Sequence, residues 1–497
     1  MITRRLLGHL PVNIAQAVAG FGAVAAFTRL LDPADYGRYT LVLVASQLAH
    51  TLTITWAEAA AFRFHAHAKS QNRLADHFAT LKWIILGVQA ASVLVIAALW
   101  LLLRHDPPLA VAACLAAGAS AMRFVTRISR ETDRADHNVA RYSWRETAFT
   151  LLGLALGIAC AATTQLGPGA PFLGLLIGGA FIAAADLPFL LKSAKGGVGN
   201  TATALQYGAY GVPLALALSL ELAVQTGARF VINANLGAEA VGAFAAAFGL
   251  ARTIDLLFVW ASMSAAPLAL TAFESGGRAK ALPIARGLAS TLFALAIPAA
   301  VGLALVAQPL AHTMVGEGLA ATAAELIPWL AISGLFAGLS TYYFSEAFQL
   351  TRRTGLRAVV MIVPAILTLI LVALWSPSFG LVGAAAATAL ATAGGTVLLA
   401  LVGRRLLPLP IPWLDAARAL AASAVMAIGV WFVPDFGGWL ELLAKAGAGA
   451  LLYALAGLAL NVAGARPIVG QLLQTLWRRI GVKLNRSKPP TPDQGSP

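Results

Sequence analysis

Arg29-Leu-Leu-Asp-Pro-Ala-Asp-Tyr-Gly-Arg-Tyr39 joins two long apolar runs, and a related stretch lies 205 residues further on. Leu31-Asp-Pro-Ala-Asp-Tyr-Gly37-Arg-Tyr39 overlays Leu236-Gly-Ala-Glu-Ala-Val-Gly242-Ala-Phe244, with Leu, an acid, Gly and an aromatic in register or one residue apart. Each copy reads as a short polar connection between apolar helices, in which Asp-Pro favours an extended entry and Gly frees the backbone for a tight turn. Nine residues can agree by chance, so the repeat has to be tested elsewhere at the same offset.

The flanking composition sets the class. Of 497 residues, 59% are hydrophobic and 11% charged, and mean hydropathy is +0.78. A soluble domain carries about 25% charged residues, so this is a polytopic all-α membrane protein. Crossing a bilayer takes about 20 apolar residues, and fourteen such runs are expected, centred near positions 20, 52, 92, 118, 155, 181, 220, 255, 295, 337, 366, 391, 424 and 452. The fourth, seventh and eighth carry charge.

Lys and Arg should accumulate in alternate loops if no span is missed. With the N-terminus inside, 29 of the 35 fall in inner segments; outer segments hold only Arg29, Arg38, Arg104 and Lys445, and Arg229 and Arg252 lie within spans. Both termini are thus expected in the cytoplasm of a bacterial inner membrane. The net charge of +14 reports topology and contact with anionic membrane lipids rather than nucleic acid. Two cysteines, Cys114 and Cys160, both in apolar runs, exclude a disulfide framework.

The repeat recurs in the polar positions. The first span carries Asn13, Gln16 and Gly20 on one face, and the second carries Gln47, His50 and Glu58. The seventh places Glu221, Gln225, Arg229 and Asn233 at steps of four, and the eighth has Arg252 and Asp255 three apart. At the 205-residue shift Glu221 falls on Gln16, Gln225 on Gly20, Arg252 on Gln47 and Asp255 on His50; Gly383 of Phe379-Gly-Leu-Val-Gly383 falls on Gly178. Six spans per copy give both the same orientation, an arrangement in which a transporter holds substrate between its halves. The expected division is a six-helix bundle over 1–195, a second over 196–405, two additional spans over 406–464, and a basic amphipathic helix with a disordered end over 465–497.

Several motifs are set aside. His65, His67, Lys69 and His77 read as a solvated basic loop, with no carboxylate or Cys to complete a metal site. Arg123 to Arg145 reads as a topogenic charge run, with first contact to an anionic headgroup as the weaker reading. Gly197, Gly199 and Ala202 follow a membrane helix rather than a strand, so they make no nucleotide fingerprint, and no phosphate-binding loop for ATP appears. No cofactor and no metal is expected.

A charge at the bilayer centre costs about 2.5 to 3.5 kcal/mol, so Glu221, Arg229, Arg252 and Asp255 must face protein or a water-filled cleft. Mutual pairing is one reading. The other is a hydrated cleft between halves, lined by Asn13, Gln16, Gln47, Glu221, Gln225, Arg229, Arg252 and Asp255, in which arginines attract a phosphate-bearing headgroup and Glu221 or Asp255 titrates or binds a coupling proton or sodium ion. Glu58, Arg63, Glu346 and Tyr342 form a second tier at the inner mouth.

Arg29-Leu30-Leu31, then Asp32-Pro-Ala-Asp-Tyr36-Gly37-Arg-Tyr39, resembles the signature of polysaccharide-biosynthesis membrane proteins, the O-antigen and exopolysaccharide flippases. Phe379-Gly-Leu-Val-Gly383-Ala-Ala is similar to that family's entry to helix 12. Their superfamily also holds the multidrug/toxin-extrusion antiporters and the lipid II flippase. The resemblance implies a two-bundle fold and alternating-access movement of an undecaprenyl-diphosphate-linked oligosaccharide from inner to outer leaflet, with glycosyltransferases or a glycan polymerase as pathway partners. Glu58 departs from the small or apolar residue expected at its position. Rival readings are a cation-coupled drug antiporter of the same fold, in which acids should dominate the cleft, and a non-transporting membrane scaffold or a glycan polymerase, the polymerase being disfavoured by the short outer connections.

Overall fold

A computed structural model describes residues 2–467, apart from the side chains of residues 2–10, 221, 224, 264 and 266. The basic amphipathic helix expected from Arg466 to Leu484, beyond its first two residues, and the end after it lie outside the described residues. The chain runs α1 (Ile2–Leu30), α2 (Pro33–Thr53), α3 (Thr55–Ser70), α4 (Leu74–Leu102), α5 (Pro107–Ala135), α6 (Val139–Thr163), α7 (Ala170–Ser193), α8 (Thr201–Thr226), α9 (Ala228–Leu236), α10 (Ala238–Ala251), α11 (Ile254–Leu305), α12 (Ala307–Met314), α13 (Glu317–Leu339), α14 (Glu346–Leu350), α15 (Thr354–Leu406), α16 (Trp413–Trp431) and α17 (Gly438–Ala459). Among the described residues there is no strand.

Ten helical stretches are long and apolar enough to cross a bilayer, and α2 with α3, bent by 46° at Ile54, makes a further one. Two of the ten, Ala238–Leu305 with 68 residues and Thr354–Leu406 with 53, are too long for one crossing, because a helix rises about 1.5 Å per residue against a core of about 30 Å. Each is broken where glycine takes a positive φ, at Gly277 (+62°, after Gly276 at −156°) and at Gly380 (+61°). Counted with α8 and α9 as one interrupted span, the total is compatible with fourteen. The Phe379–Gly383 motif is therefore the turn between two crossings.

The opening stretch folds differently from the expected loop. Asp32 is extended (φ −62°, ψ 153°) and Pro33 starts α2, as Asp-Pro favours, but the turn ends there. Gly37 lies inside α2 and Gly242 inside α10, and both serve close approach rather than turning. The two copies face each other: a Cβ on Gly37 would sit 1.7 Å from the Ala238 carbonyl oxygen, and one on Gly242 2.9 Å from that of Pro33. Around them Phe27, Tyr36, Tyr39 and Phe172 pack with ring centroids 5.2–6.0 Å apart, pairs worth about 0.5–1.5 kcal/mol each beyond their area. Arg29 caps the last carbonyls of α12, donating to Thr313 O (2.6 Å) and Met314 O (3.1 Å), and the Thr28 hydroxyl accepts from Gly316 N at 2.9 Å. We call this the loop end.

Helices α1 and α4 to α7 pack on one another, as do α9 to α11, α13 and α15, with α16 on α11 and α17 on α16. α2 joins the groups, packing on α5 of the first and α10 of the second, and α1 also meets α10 and α12; towards the opposite end α8 packs on α2, α3 and α15. There Phe64 stacks on Tyr207 (4.9 Å), the His77 Nδ1 and Tyr207 hydroxyl lie 2.5 Å apart, and Val198 N donates to Asp76 Oδ1 at 2.9 Å.

Candidate functional site

α10 ends at Arg252, where the helical ladder lapses before α11 starts at Ile254. Arg252 leaves 56% of its side chain exposed and donates through Nε to Asp255 Oδ2 at 2.7 Å. Its guanidinium lies 5.8 Å from the centre of the Phe248 ring, and the Arg229 guanidinium, carried by α9, lies 5.2 Å from the same ring. Arg229 makes no ion pair among the described residues; its electrostatic neighbours are the Tyr36 hydroxyl across the seam and Arg252. Two cations thus share one aromatic ring, and only Arg252 has a carboxylate partner. Tyr342 stacks on Phe258 (6.0 Å, 16° between planes) within electrostatic reach of Arg252 and Asp255.

A second polar group belongs to α2, α3 and α5. Glu58, only 8% exposed, accepts from His50 Nε2 at 2.9 Å across the bend at Ile54, and His50 Nδ1 lies 2.7 Å from the Ser120 hydroxyl. Arg123 and Arg127 act electrostatically on the Glu58 carboxylate. The Nε of each finds no hydrogen-bond partner among the described residues, and Arg123 has no ion pair there. An acid at position 58 is therefore accommodated by a histidine and two arginines, which explains the departure from a small or apolar residue.

Of the sequence-predicted site residues, the structure brings together Arg229, Arg252, Asp255 and Tyr342. Glu221 has no described side chain. Gln225, Gln47 and Gln16 are exposed and Asn13 is half-buried, and no hydrogen bond joins these four to the arginines. The expected stripe of helix 7 crosses an interruption at Gly227, between α8 and α9. Glu346 is half-buried at the start of α14 with no charged partner among the described residues, and Arg63 is exposed on α3.

Two expectations are corrected. The arginine-rich stretch is no simple topogenic run: Arg130 is 1% exposed and ion-paired to buried Glu146, while Arg145 bridges Asp133 (2.7 Å) and Asp186 (3.1 Å). Charges taken from water require such pairing. Glu131 and Asp133 among the arginines and Glu146 directly after them are the signal in the sequence, whereas Asp186 lies far off in α7; basic residues at helix ends also serve topology, which masks that signal. Nor is the histidine stretch a solvated loop. α3 runs helical to Ser70, His65 and His77 are buried, and His65 Nε2 lies 3.3 Å from Asp136 Oδ1. Burial alone would raise the Asp136 carboxyl, but the Lys69 ammonium at 2.5 Å and His65 outweigh it and hold it below the usual range. Among the described residues no group of three His, Cys, Asp or Glu is arranged to hold a metal.

Comparison with known proteins agrees with this architecture. The chain is similar to the lipid II flippase MurJ in an inward closed conformation, with a TM-score of 0.74 and 14% identity over 93% of this chain and 100% of that one. It is also similar to an inward-facing multidrug resistance transporter of the MATE family (TM-score 0.61, 13% identity, 79% of this chain and 94% of that one). A third similar structure is a transporter of the same MOP superfamily from Pyrococcus furiosus (TM-score 0.54, 15% identity, 81% and 94%). At such identities the likeness is one of fold. No curated protein matches the sequence. Residues 3–270, more than half of the chain, match the model of the polysaccharide biosynthesis protein family. With that match and the fold in agreement, this multi-pass membrane protein belongs to the polysaccharide biosynthesis protein family.

Proposed function

We propose that the chain is a flippase that carries a polyprenyl-diphosphate-linked oligosaccharide from the inner to the outer leaflet by alternating access. The observation that carries this reading is the Arg229–Phe248–Arg252 group, two guanidiniums on one ring with a single acid, Asp255, bonded to Arg252. An excess of fixed positive charge inside a membrane protein suits an anionic headgroup, and guanidinium forks match phosphate oxygens. The sugar and diphosphate would pass along the seam between the bundles while the lipid tail stays in the bilayer. The arginine-rich inner loops favour a cytoplasmic placement of both termini in a bacterial inner membrane, with the loop end outside.

The division into 1–195, 196–405, 406–464 and 465–497 belongs to the same proposal. In it the two bundles rock about the seam, and α16 and α17 accompany the second. Asn13, Gln16, Gln47, Glu221 and Gln225 would line the sugar path, with Glu58, Arg63, Glu346 and Tyr342 nearer the inner mouth. Pathway partners would be the enzymes that build and polymerise the glycan.

The test is translocation of a fluorescent polyprenyl-diphosphate disaccharide in proteoliposomes. Arg252→Ala should abolish it while the protein inserts and elutes as a single species. Full activity of that variant would overturn the assignment of the site.

A further inference from the structure

The longest helical stretches turn at glycine, at Gly277 and Gly380, and α8 gives way to α9 at Gly227. The second span does otherwise. It breaks at Ile54, a β-branched residue with φ −122° and ψ −38°, and bends by 46°. Bends of this size have identifiable causes, usually Pro, Gly or a side chain inserted into the ladder, and neither Pro nor Gly stands here. What spans the break is a side-chain bridge: His50 on the α2 side holds Glu58 on the α3 side at 2.9 Å, and its other ring nitrogen meets Ser120 of α5 at 2.7 Å.

The bridge has an unusual chemical property. With a neutral imidazole, Nε2–H donates to Glu58 and Nδ1 accepts from the Ser120 hydroxyl. With an imidazolium, Nε2–H still donates to Glu58, Nδ1–H now donates, and the Ser120 oxygen accepts by rotating its own proton away. Both protonation states keep every hydrogen bond without moving a heavy atom. Histidine is the side chain that changes charge between about pH 5 and 8, and both partners keep a small access to solvent, with side chains 14% and 10% exposed.

We infer that His50 and Glu58 form a proton-binding site whose occupancy is linked to the bend between α2 and α3 and through it to opening of the cleft. The inference rests on the reading of the chain as an alternating-access transporter, and it names the proton as the coupling ligand. With the proton bound, the bridge is an ion pair between imidazolium and carboxylate and fastens α3 at its bent angle; with the proton lost the Glu58 carboxylate still accepts from a neutral Nε2–H, but the attraction between opposite charges is gone and α3 is freer to swing against α8.

The electrostatic surroundings set the direction of the linkage. From α5, Arg123, Arg127 and Arg130 act on Glu58 and oppose a further positive charge, while Glu131 of the same helix works against them; from α6, Glu146 acts on all three arginines and Tyr142 on Arg127 and Arg130. The other helices on α2 carry Tyr207, Tyr210 and Glu221 (α8), Glu239 (α10) and Arg29 (α1). An anion drawn to Arg123 would offset the repulsion and favour protonation of His50, so that proton and anionic headgroup communicate through these arginines.

The test needs no substrate. In the full chain with Cys114 and Cys160 replaced by alanine, spin labels at Gln71 and Arg353 report the distance between the bundles in nanodiscs. Between pH 8 and pH 5 the populations should shift, by about tenfold for each pKa unit by which the two states differ in holding the proton. His50→Gln, which keeps hydrogen bonds but cannot titrate, should flatten that response. Glu58→Gln removes the counter-charge and should move the midpoint to lower pH, which decides the matter should His50→Gln fail to fold. An unresponsive wild type, a response that survives His50→Gln, or an unmoved midpoint in Glu58→Gln overturns the inference. Failure of the flippase reading would appear in the liposome assay and leave this measurement untouched.

Discussion

Gly37 and Gly242, 205 residues apart in sequence and equivalent in the internal repeat, lie against each other where α2 crosses α10. Each stands where an added Cβ would meet the other helix's end of the contact, at 1.7 Å from Ala238 O and 2.9 Å from Pro33 O. The repeat that the sequence displays is thus also a contact.

Gly37→Val should pry this contact apart. Contact below 3 Å with backbone cannot be relieved by a side chain turning away, so the helices must separate. Val241, fully buried beside the contact, supplies the readout: as a cysteine in an otherwise cysteine-free chain it should react several-fold faster with an impermeant maleimide in the Gly37→Val background. Unchanged labelling would show that the loop end tolerates the added bulk.

Phe248→Leu should weaken transport without abolishing it. A cation over a ring contributes about 0.5–1 kcal/mol when exposed and about 2 when desolvated, and two guanidiniums share this one. Half-saturating substrate in proteoliposomes should rise about five- to thirtyfold, whereas Phe248→Tyr should stay close to wild type. An inactive Tyr variant would point to packing rather than the ring face.

Arg130→Ala should cost about 3–5 kcal/mol, because it leaves Glu146 charged and buried without its partner. Combining Arg130→Met with Glu146→Leu, which removes both charges and keeps the volume filled, should recover most of the loss. Thermal unfolding in detergent reads both.

A pH dependence follows from Asp136. Its carboxyl is held below the ordinary value by Lys69 and His65, so it binds its proton less tightly folded than unfolded. The stabilisation is present above the unfolded value, about pH 4, and is lost as pH falls through the folded one. Asp136→Asn should remove that part of the acid sensitivity of the melting temperature and leave the neutral-pH slope unaltered.

Much of this was legible beforehand. The membrane class followed from composition and a set of crossings compatible with the structure from apolar length, whereas the turn at Gly380, where a positive φ needs glycine, was not read from the Phe379–Gly383 motif. Arg252 and Asp255 were recognisable as neighbours because three residues along a helix share a face. Long-range partners were not. Nothing local says that Glu146 meets Arg130, that His77 meets Tyr207 across 130 residues, or that Phe248 collects Arg229 and Arg252. Periodicity also overstated the regularity of helices 2 and 7, because it cannot register a bend at Ile54 or an interruption at Gly227.

The ring of Phe248 bears no formal charge, and that has a consequence for the arginines beside it. A carboxylate in its place would orient the guanidiniums equally well, but it would cancel their field at a distance. The aromatic face fixes their position without neutralising them, so that apart from the charge Asp255 offsets, the field of the pair reaches further than its hydrogen bonds do.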